Sequence, residues 1–203
     1  MAWYCPLSHK FAVGLSLIGL FLSAATLSLP CKADEVTADA IINALKGHKT
    51  RSLTRPRPEA VAEFAHLREI RKTRGLTIQE REELVKVSKE LPQIDLRILF
   101  NFDSEEVKPK GMKTLKEVAR ALKSKDLSGK SFLIAGHTDR KGAPDYNIDL
   151  SLRRAEAVKR NLVADGIDAD TIATVGFGFE QLANKKDPYA AENRRVQFVK
   201  WSN

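Results

Sequence analysis

The chain of 203 residues is poor in cysteine, and both of its cysteines, Cys5 and Cys31, fall within the first 33 positions. Beyond that stretch there is no disulfide framework and no thiol chemistry. Long apolar runs are equally scarce. Phe11 to Leu29 goes 19 residues without a charge, and the chain lacks the repeated ten-residue alternation of an outer-membrane barrel. Histidine is rare, with four in all. His137 and Asp139 stand two apart without a third ligand at metal spacing, while His48 and His66 lie far back in the chain. Ser151 has no histidine in register and reads as a first-turn hydroxyl, and His137 reads as a structural residue hydrogen-bonded at a strand end. Gly176-Phe177-Gly178 lacks both the third glycine and the Lys-Ser/Thr ending of a phosphate loop. Hydrolytic, metal and nucleotide chemistry are disfavoured, no cofactor is expected, and the chain reads as a binder rather than an enzyme.

What is present divides the chain in three. His9 and Lys10 precede the apolar stretch, and Pro30, Cys31, Lys32 and Ala33 follow it. This is the layout of a secretory signal peptide over residues 1–33, cleaved after Ala33. A 19-residue apolar stretch also suffices to span a bilayer, so an uncleaved anchor is the alternative. Lipid attachment at Cys31 fits poorly, because Pro30 stands where a small residue is wanted.

Residues 34–93 read as a basic helical arm and linker. Val36 to Leu45 has the makings of a short helix, Gly47 to Pro58 is held extended by Pro56 and Pro58, and Glu59 to Arg71 resumes helical spacing until Gly75 breaks it. Thr77-x-x-Glu80 is a capping box opening a helix to about Leu91, stopped by Pro92.

Residues 94–203 alternate between two periods. Ile94 to Phe100, Ser131 to Gly136, Thr171 to Gly176 and Arg195 to Trp201 read as strands. Pro109 opens a helix carrying Leu115, Val118, Ala119 and Leu122, and a second runs from Leu150 to near Gly166 with Ala155, Val158 and Leu162 on its stripe. The expected class is α/β (α+β), a βαβαββ-like arrangement with helices packed on one mixed sheet and a helical arm in front.

Arg154 falls on that second apolar stripe, four residues from both Leu150 and Val158, so its guanidinium should lie against the domain body and favour a carboxylate partner. Arg153 reads as solvated. Counted from Leu150, both arginines sit in the helix's first turn, where the dipole opposes a cation by roughly 0.3–1 kcal/mol. With Asp139 in the preceding loop and the unpaired N–H groups of a helix start, the region offers acceptors for an ammonium and donors for a carboxylate. A free amino-acid moiety needs both.

Several blocks agree in order and spacing with one known module. Phe100-Asn101-Phe102-Asp103, Gly136-His137-Thr138-Asp139-x-x-Gly142, Tyr146-Asn147-x-x-Leu150-Ser151-x-x-Arg154-Ala155, Gly166-Ile167, Val175-Gly176-Phe177-Gly178 and Asn193-Arg194-Arg195-Val196 occur between about Ile94 and Trp201. This stretch resembles the OmpA-like peptidoglycan-binding domain of outer membrane protein A, peptidoglycan-associated lipoproteins and flagellar stator proteins. The resemblance implies non-catalytic binding of the diaminopimelate residue of the wall's stem peptide. Asp139 would accept from its ammonium, Arg154 would pair with its carboxylate, and Asn147 and Arg194 would line the same pocket. One departure is that no proline directly follows the glycine-rich turn between Phe179 and Tyr189.

The implied partner is peptidoglycan, with an outer-membrane or envelope protein reached through residues 34–93 as a further expectation, and the implied location is the periplasm in association with the outer membrane. Charge carries the competing reading. The net charge of +8 falls to +6 without residues 1–33, which hold Lys10 and Lys32 and no acid. A basic exported protein can bind an anionic polymer such as nucleic acid through nonspecific charge. Here the bases are interleaved with acids and no nucleic-acid motif occurs, so nucleic acid is not the expected partner.

Overall fold

The computed structural model describes residues 36–46, 62, 65–66 and 76–201. The expected signal peptide and the proline linker lie outside the described residues, as does all of the 59–71 helix but Ala62, Ala65 and His66, which are helical. The elements are α1 (Ala38–Lys46), α2 (Ile78–Ser88), β1 (Gln93–Leu96), α3 (Pro109–Leu122), β2 (Phe132–Gly136), α4 (Pro144–Ala164), β3 (Ile172–Gly176) and β4 (Val196–Lys200). From β1 onward this is the βαβαββ order expected.

The four strands form one mixed sheet in the order β1-β4-β2-β3. β2 and β3 are parallel, joined by α4, while β4 runs antiparallel to both β1 and β2. β2 reads Phe-Leu-Ile-Ala-Gly and is buried along its whole length, as a central strand covered on both faces must be. Side chains alternate between those faces. Phe132, Ile134, Ile172, Val196 and Phe198 meet Leu115, Val118 and Leu122 of α3 and Ala155, Val158 and Leu162 of α4. Leu133, Ala135, Ala173, Val175 and Val199 look the other way, toward Leu84, Val85 and Val87 of α2 and Leu91 beyond it.

Helices therefore cover the sheet from both sides, and part of the expected arm supplies the second cover. α2 opens on the Thr77/Glu80 capping box but ends at Ser88 rather than Leu91. Bonds from Glu90 N to Val87 O and from Leu91 N to Ser88 O, both 3.1 Å, tighten the chain into a turn before Pro92. Arg81 ties the helix to the turn after β3 by a fork onto Glu180, Nη2 to Oε1 at 3.0 Å and Nε to Oε2 at 3.3 Å. α1 is likewise part of the core. Ile41 and Leu45 are completely buried in the cluster with Leu96 and Leu115, and Ala38 N donates to Glu117 Oε2 at 3.1 Å. An amphipathic stripe announces that a helix has a partner without naming the surface, so the reading of residues 34–93 as an arm and linker did not include this packing.

If α1 is integral, Ile41→Ala should lower unfolding stability by about 2–5 kcal/mol, the range for a buried Ile truncated to Ala. Urea denaturation of the full chain checks this. A change below about 0.5 kcal/mol, typical of surface sites, would return α1 to the status of an appendage.

Candidate functional site

Strand directions bring the recognised blocks together. Leu96 of β1 pairs with Val196 at the start of β4, and Val196 pairs with Gly136 at the end of β2, which in turn pairs with Gly176 at the end of β3. The loops after β1, β2 and β3 and the residues just before β4 thus emerge at one end of the sheet. Loops at the carboxyl ends of parallel strands are the usual place for a ligand.

A cleft of about 650 Å³ opens there, and all four expected site residues, Asp139, Asn147, Arg154 and Arg194, line it. Phe100, Phe102, Asp103, Lys141 and Tyr146 complete much of its wall.

The helix that carries Arg154 comes unusually close to the strand ends. A Cβ at Gly136 would run into the Ser151 carbonyl, and one at Gly176 would lie 2.6 Å from both Leu152 N and Ser151 Oγ. Only glycine allows this approach. Ser151 Oγ uses it, accepting from Gly178 N at 2.9 Å while donating to Ile148 O at 2.8 Å. Ser151 is therefore a fully buried mid-helix brace and not a first-turn hydroxyl.

The correction follows from where the helix begins. α4 starts at Pro144, with proline at N1, and not near Leu150. Its first two turns are mostly polar and gave no apolar stripe to count. Arg153 and Arg154 consequently lie in the third turn, beyond the reach of the N-terminal dipole, and the penalty expected for them does not arise. Arg153 faces outward and pairs with Asp149 and, at 3.3 Å, with Glu105 Oε2.

Each expected site residue has a distinct setting. Asp139 sits in a loop braced by Thr138 N to Gly178 O at 2.8 Å and Arg140 N to Pro188 O at 3.0 Å. Its Oδ1 accepts from Lys141 N at 3.1 Å, and its Oδ2 is held by Arg194 Nη1 at 2.6 Å. Arg194 was expected only to border the pocket. Arg154 makes no ion pair among the described residues. Its Nε donates to Ser104 O at 3.0 Å and its guanidinium carbon stands 5.0 Å from the centre of the Phe100 ring, a cation–π contact. Burial pulls the guanidinium below its ordinary pKa, with Asp103 opposing that shift and Arg194 adding to it. The two terminal amino groups of Arg154 have no hydrogen-bond partner among the described residues.

Asn147 is buried, and its Nδ2 donates to Lys141 O at 2.9 Å and Ala143 O at 3.0 Å. Both amide hydrogens are thereby spent on holding the Asp139 loop, which leaves Oδ1 as the atom able to meet a ligand.

Two positions that carried no assigned role are part of the same construction. Asn193 is fully buried and clamps the loop before β4, accepting from Asn184 N at 2.8 Å and donating to Asp187 O at 3.0 Å. This clamp fixes the backbone beside Arg194 in the segment where no proline follows the turn. Asp103 takes a positive φ of 52° and accepts from the Tyr146 hydroxyl, which raises the Tyr146 pKa. The quoted motifs contained both residues, but nothing in their local sequence showed partners 9 and 43 positions away.

His137 is structural, though not as expected. Its backbone N–H donates to Arg195 O at 3.0 Å, while both ring nitrogens are buried without a hydrogen-bond partner among the described residues and the ring lies 5.5 Å from that of Phe177. Burial first, and the charge of Arg195 second, push its pKa well below the ordinary 6.5. The unfolded imidazole takes up a proton below pH 6.5 and the folded one resists it. Stability is thus fully present above that pH and falls as pH drops toward the depressed value, by at most about 1.4 kcal/mol per unit. Denaturant titrations at pH 7.5 and 5.5 should show a steeper loss for the wild type than for His137→Leu. Equal losses would mean that the folded site protonates freely.

Residues 99–195 match the OmpA family. The peptidoglycan-associated lipoprotein of Pseudomonas aeruginosa is 39% identical over 103 residues, covering 50% of this chain and 60% of its own length. Outer membrane protein A of Bordetella avium is 41% identical over 100 residues, 48% of this chain and 50% of its own. The match thus spans between half and three-fifths of these curated relatives. Among solved structures, the peptidoglycan-associated lipoprotein of Burkholderia pseudomallei is 33% identical, with 51% of this chain and 87% of that one covered and a TM-score of 0.44.

Proposed function

We propose that residues 99–195, an OmpA-like domain, bind peptidoglycan without catalysis and tether the protein to the cell wall through the diaminopimelate residue of the stem peptide. The observation that carries this reading is Arg154. A half-buried guanidinium whose two terminal amino groups have no acceptor among the described residues, in a cleft shared with a carboxylate, is prepared for a planar anion.

Diaminopimelate ends in an ammonium and a carboxylate on one carbon. Asp139 accepts from the ammonium, Arg154 takes the carboxylate in a forked contact, and Asn147 Oδ1 is a further acceptor at the cleft wall. The hydrocarbon part of the ligand has Phe100, Phe102 and Leu150 to rest on. No bond is made or broken, so affinity depends on how rigidly these groups are held. The Asn147 and Asn193 clamps and the Ser151 brace supply that rigidity. The relatives named peptidoglycan-associated lipoprotein and outer membrane protein A support a role at the bacterial envelope, and the protein is proposed to work there, in the periplasm and associated with the outer membrane. A second envelope partner would meet the outward faces of α1 and α2, since their apolar faces are taken up by the core.

Asp139→Ala and Arg154→Ala should each abolish co-sedimentation of the full chain with diaminopimelate-type sacculi in moderate salt, with unfolding transitions still cooperative. Removing one partner of a desolvated charge pair typically costs about 2–5 kcal/mol, some 30-fold or more in affinity. Arg154→Lys should recover only part of the loss, because an ammonium cannot fork. Retained sedimentation by both alanine variants would sink the mechanism, and binding that fades with salt alike in all forms would favour a nonspecific polyanion surface.

A further inference from the structure

The acceptor for the ligand's ammonium already has a partner within the protein. Arg194 Nη1 lies 2.6 Å from Asp139 Oδ2, and the two differ in exposure, with 46% of the Arg194 side chain open to solvent against 15% for Asp139. The backbone beside Arg194 is pinned by Asn193, yet among the described residues the guanidinium has only Asp139 and a long 3.5 Å contact to Tyr189 O. It is a free-ended cation sitting on the one acidic group the mechanism needs.

Charge around the cleft sharpens the point. Arg97, Lys108, Lys141, Arg154 and Arg194 line it against two carboxylates, Asp139 and an Asp103 that already accepts from the Tyr146 hydroxyl. A ligand that brings only an ammonium must share Asp139 with Arg194 and adds one more cation to a site already rich in them. A ligand with a carboxylate beside its ammonium brings a counter-charge that Arg154, and Arg194 once displaced, can both use. Exchange of partners then costs little.

We infer that Arg194 is a specificity filter: its ion pair to Asp139 excludes simple ammonium groups, such as a lysine side chain, and yields only to an α-amino-acid zwitterion. The inference rests on the peptidoglycan reading above and adds to it the reason why that wall chemistry is told apart from a lysine-containing one. The two stem peptides differ at this position by a single carboxylate.

The test is calorimetric titration of the full-length protein with two synthetic stem peptides, one carrying diaminopimelate and the other lysine at the third position. Wild type should bind the first and discriminate strongly against the second. Arg194→Gln, which frees Asp139, should bind the lysine peptide more tightly than wild type does, by about fivefold if the ion pair is worth the upper end of an exposed pair. Arg194→Lys should restore discrimination.

A gain of affinity is an outcome that loosening the loop or losing an ordinary contact does not produce. Unchanged or weaker lysine-peptide binding by Arg194→Gln, with diaminopimelate binding by wild type intact, would overturn the filter alone. Failure of wild type to bind either peptide would overturn the peptidoglycan reading, and the filter with it.

Discussion

Helix α4 lies almost in backbone contact with the ends of two strands, and much of the site hangs on that proximity. Gly136 and Gly176 have no side chains to hold it off, and Ser151 fills the seam with one hydroxyl that accepts from the turn after β3 and donates within the helix. From this fixed point the helix carries Asn147 one turn toward its start and Arg154 nearly one turn toward its end. A larger residue at either glycine would push the whole helix outward. Both arms of the cleft would then move together, because the Asp139 loop is tied to Asn147 and to Gly178.

The electrostatic design is one of deliberate incompleteness. Asp139 is satisfied inside the protein, whereas Arg154 is given a carbonyl for Nε, an aromatic face for its plane and, among the described residues, nothing for its two remaining groups. Holding a guanidinium half-buried with no direct ion pair is unfavourable, and the charges of Asp103 and Asp139 offset only part of that cost. The cost is borne because the surrounding fold is well covered, with a central strand buried on both faces and helices on either side.

Local rules were legible and distant ones were not. The Thr77/Glu80 capping box, Pro109 at a helix start and the apolar stripe of α3 depend on neighbours within one or two turns, and each stands as read. The start of α4 was misplaced because its opening turns line the cleft with Tyr146 and Asn147 and leave no apolar period. The membership of α1 and α2 in the core was invisible for a different reason, since periodicity marks a buried face but not what buries it. At the site, Asp139, Asn147, Arg154 and Arg194 do share one cleft. Their division of labour, with Arg194 on Asp139 and Asn147 on the loop carbonyls, is set by contacts between segments up to 55 residues apart. No spacing rule spans such a distance.

The fork from Arg81 to Glu180 and the register of β1 have a mechanical meaning. The chain enters β1 at Gln93, the end of the sheet away from the cleft, and β1 lies along β4 through four paired residues from Gln93↔Val199 to Leu96↔Val196. Tension between a polymer held at the cleft and the N-terminal part of the chain would first meet the packed helices α1 and α2, and where it reaches β1 would run along the strands. Loaded this way, the rungs between β1 and β4 share the force as a shear joint instead of opening singly like a zipper, and Arg81 adds a side strut from α2 to the turn beside the cleft.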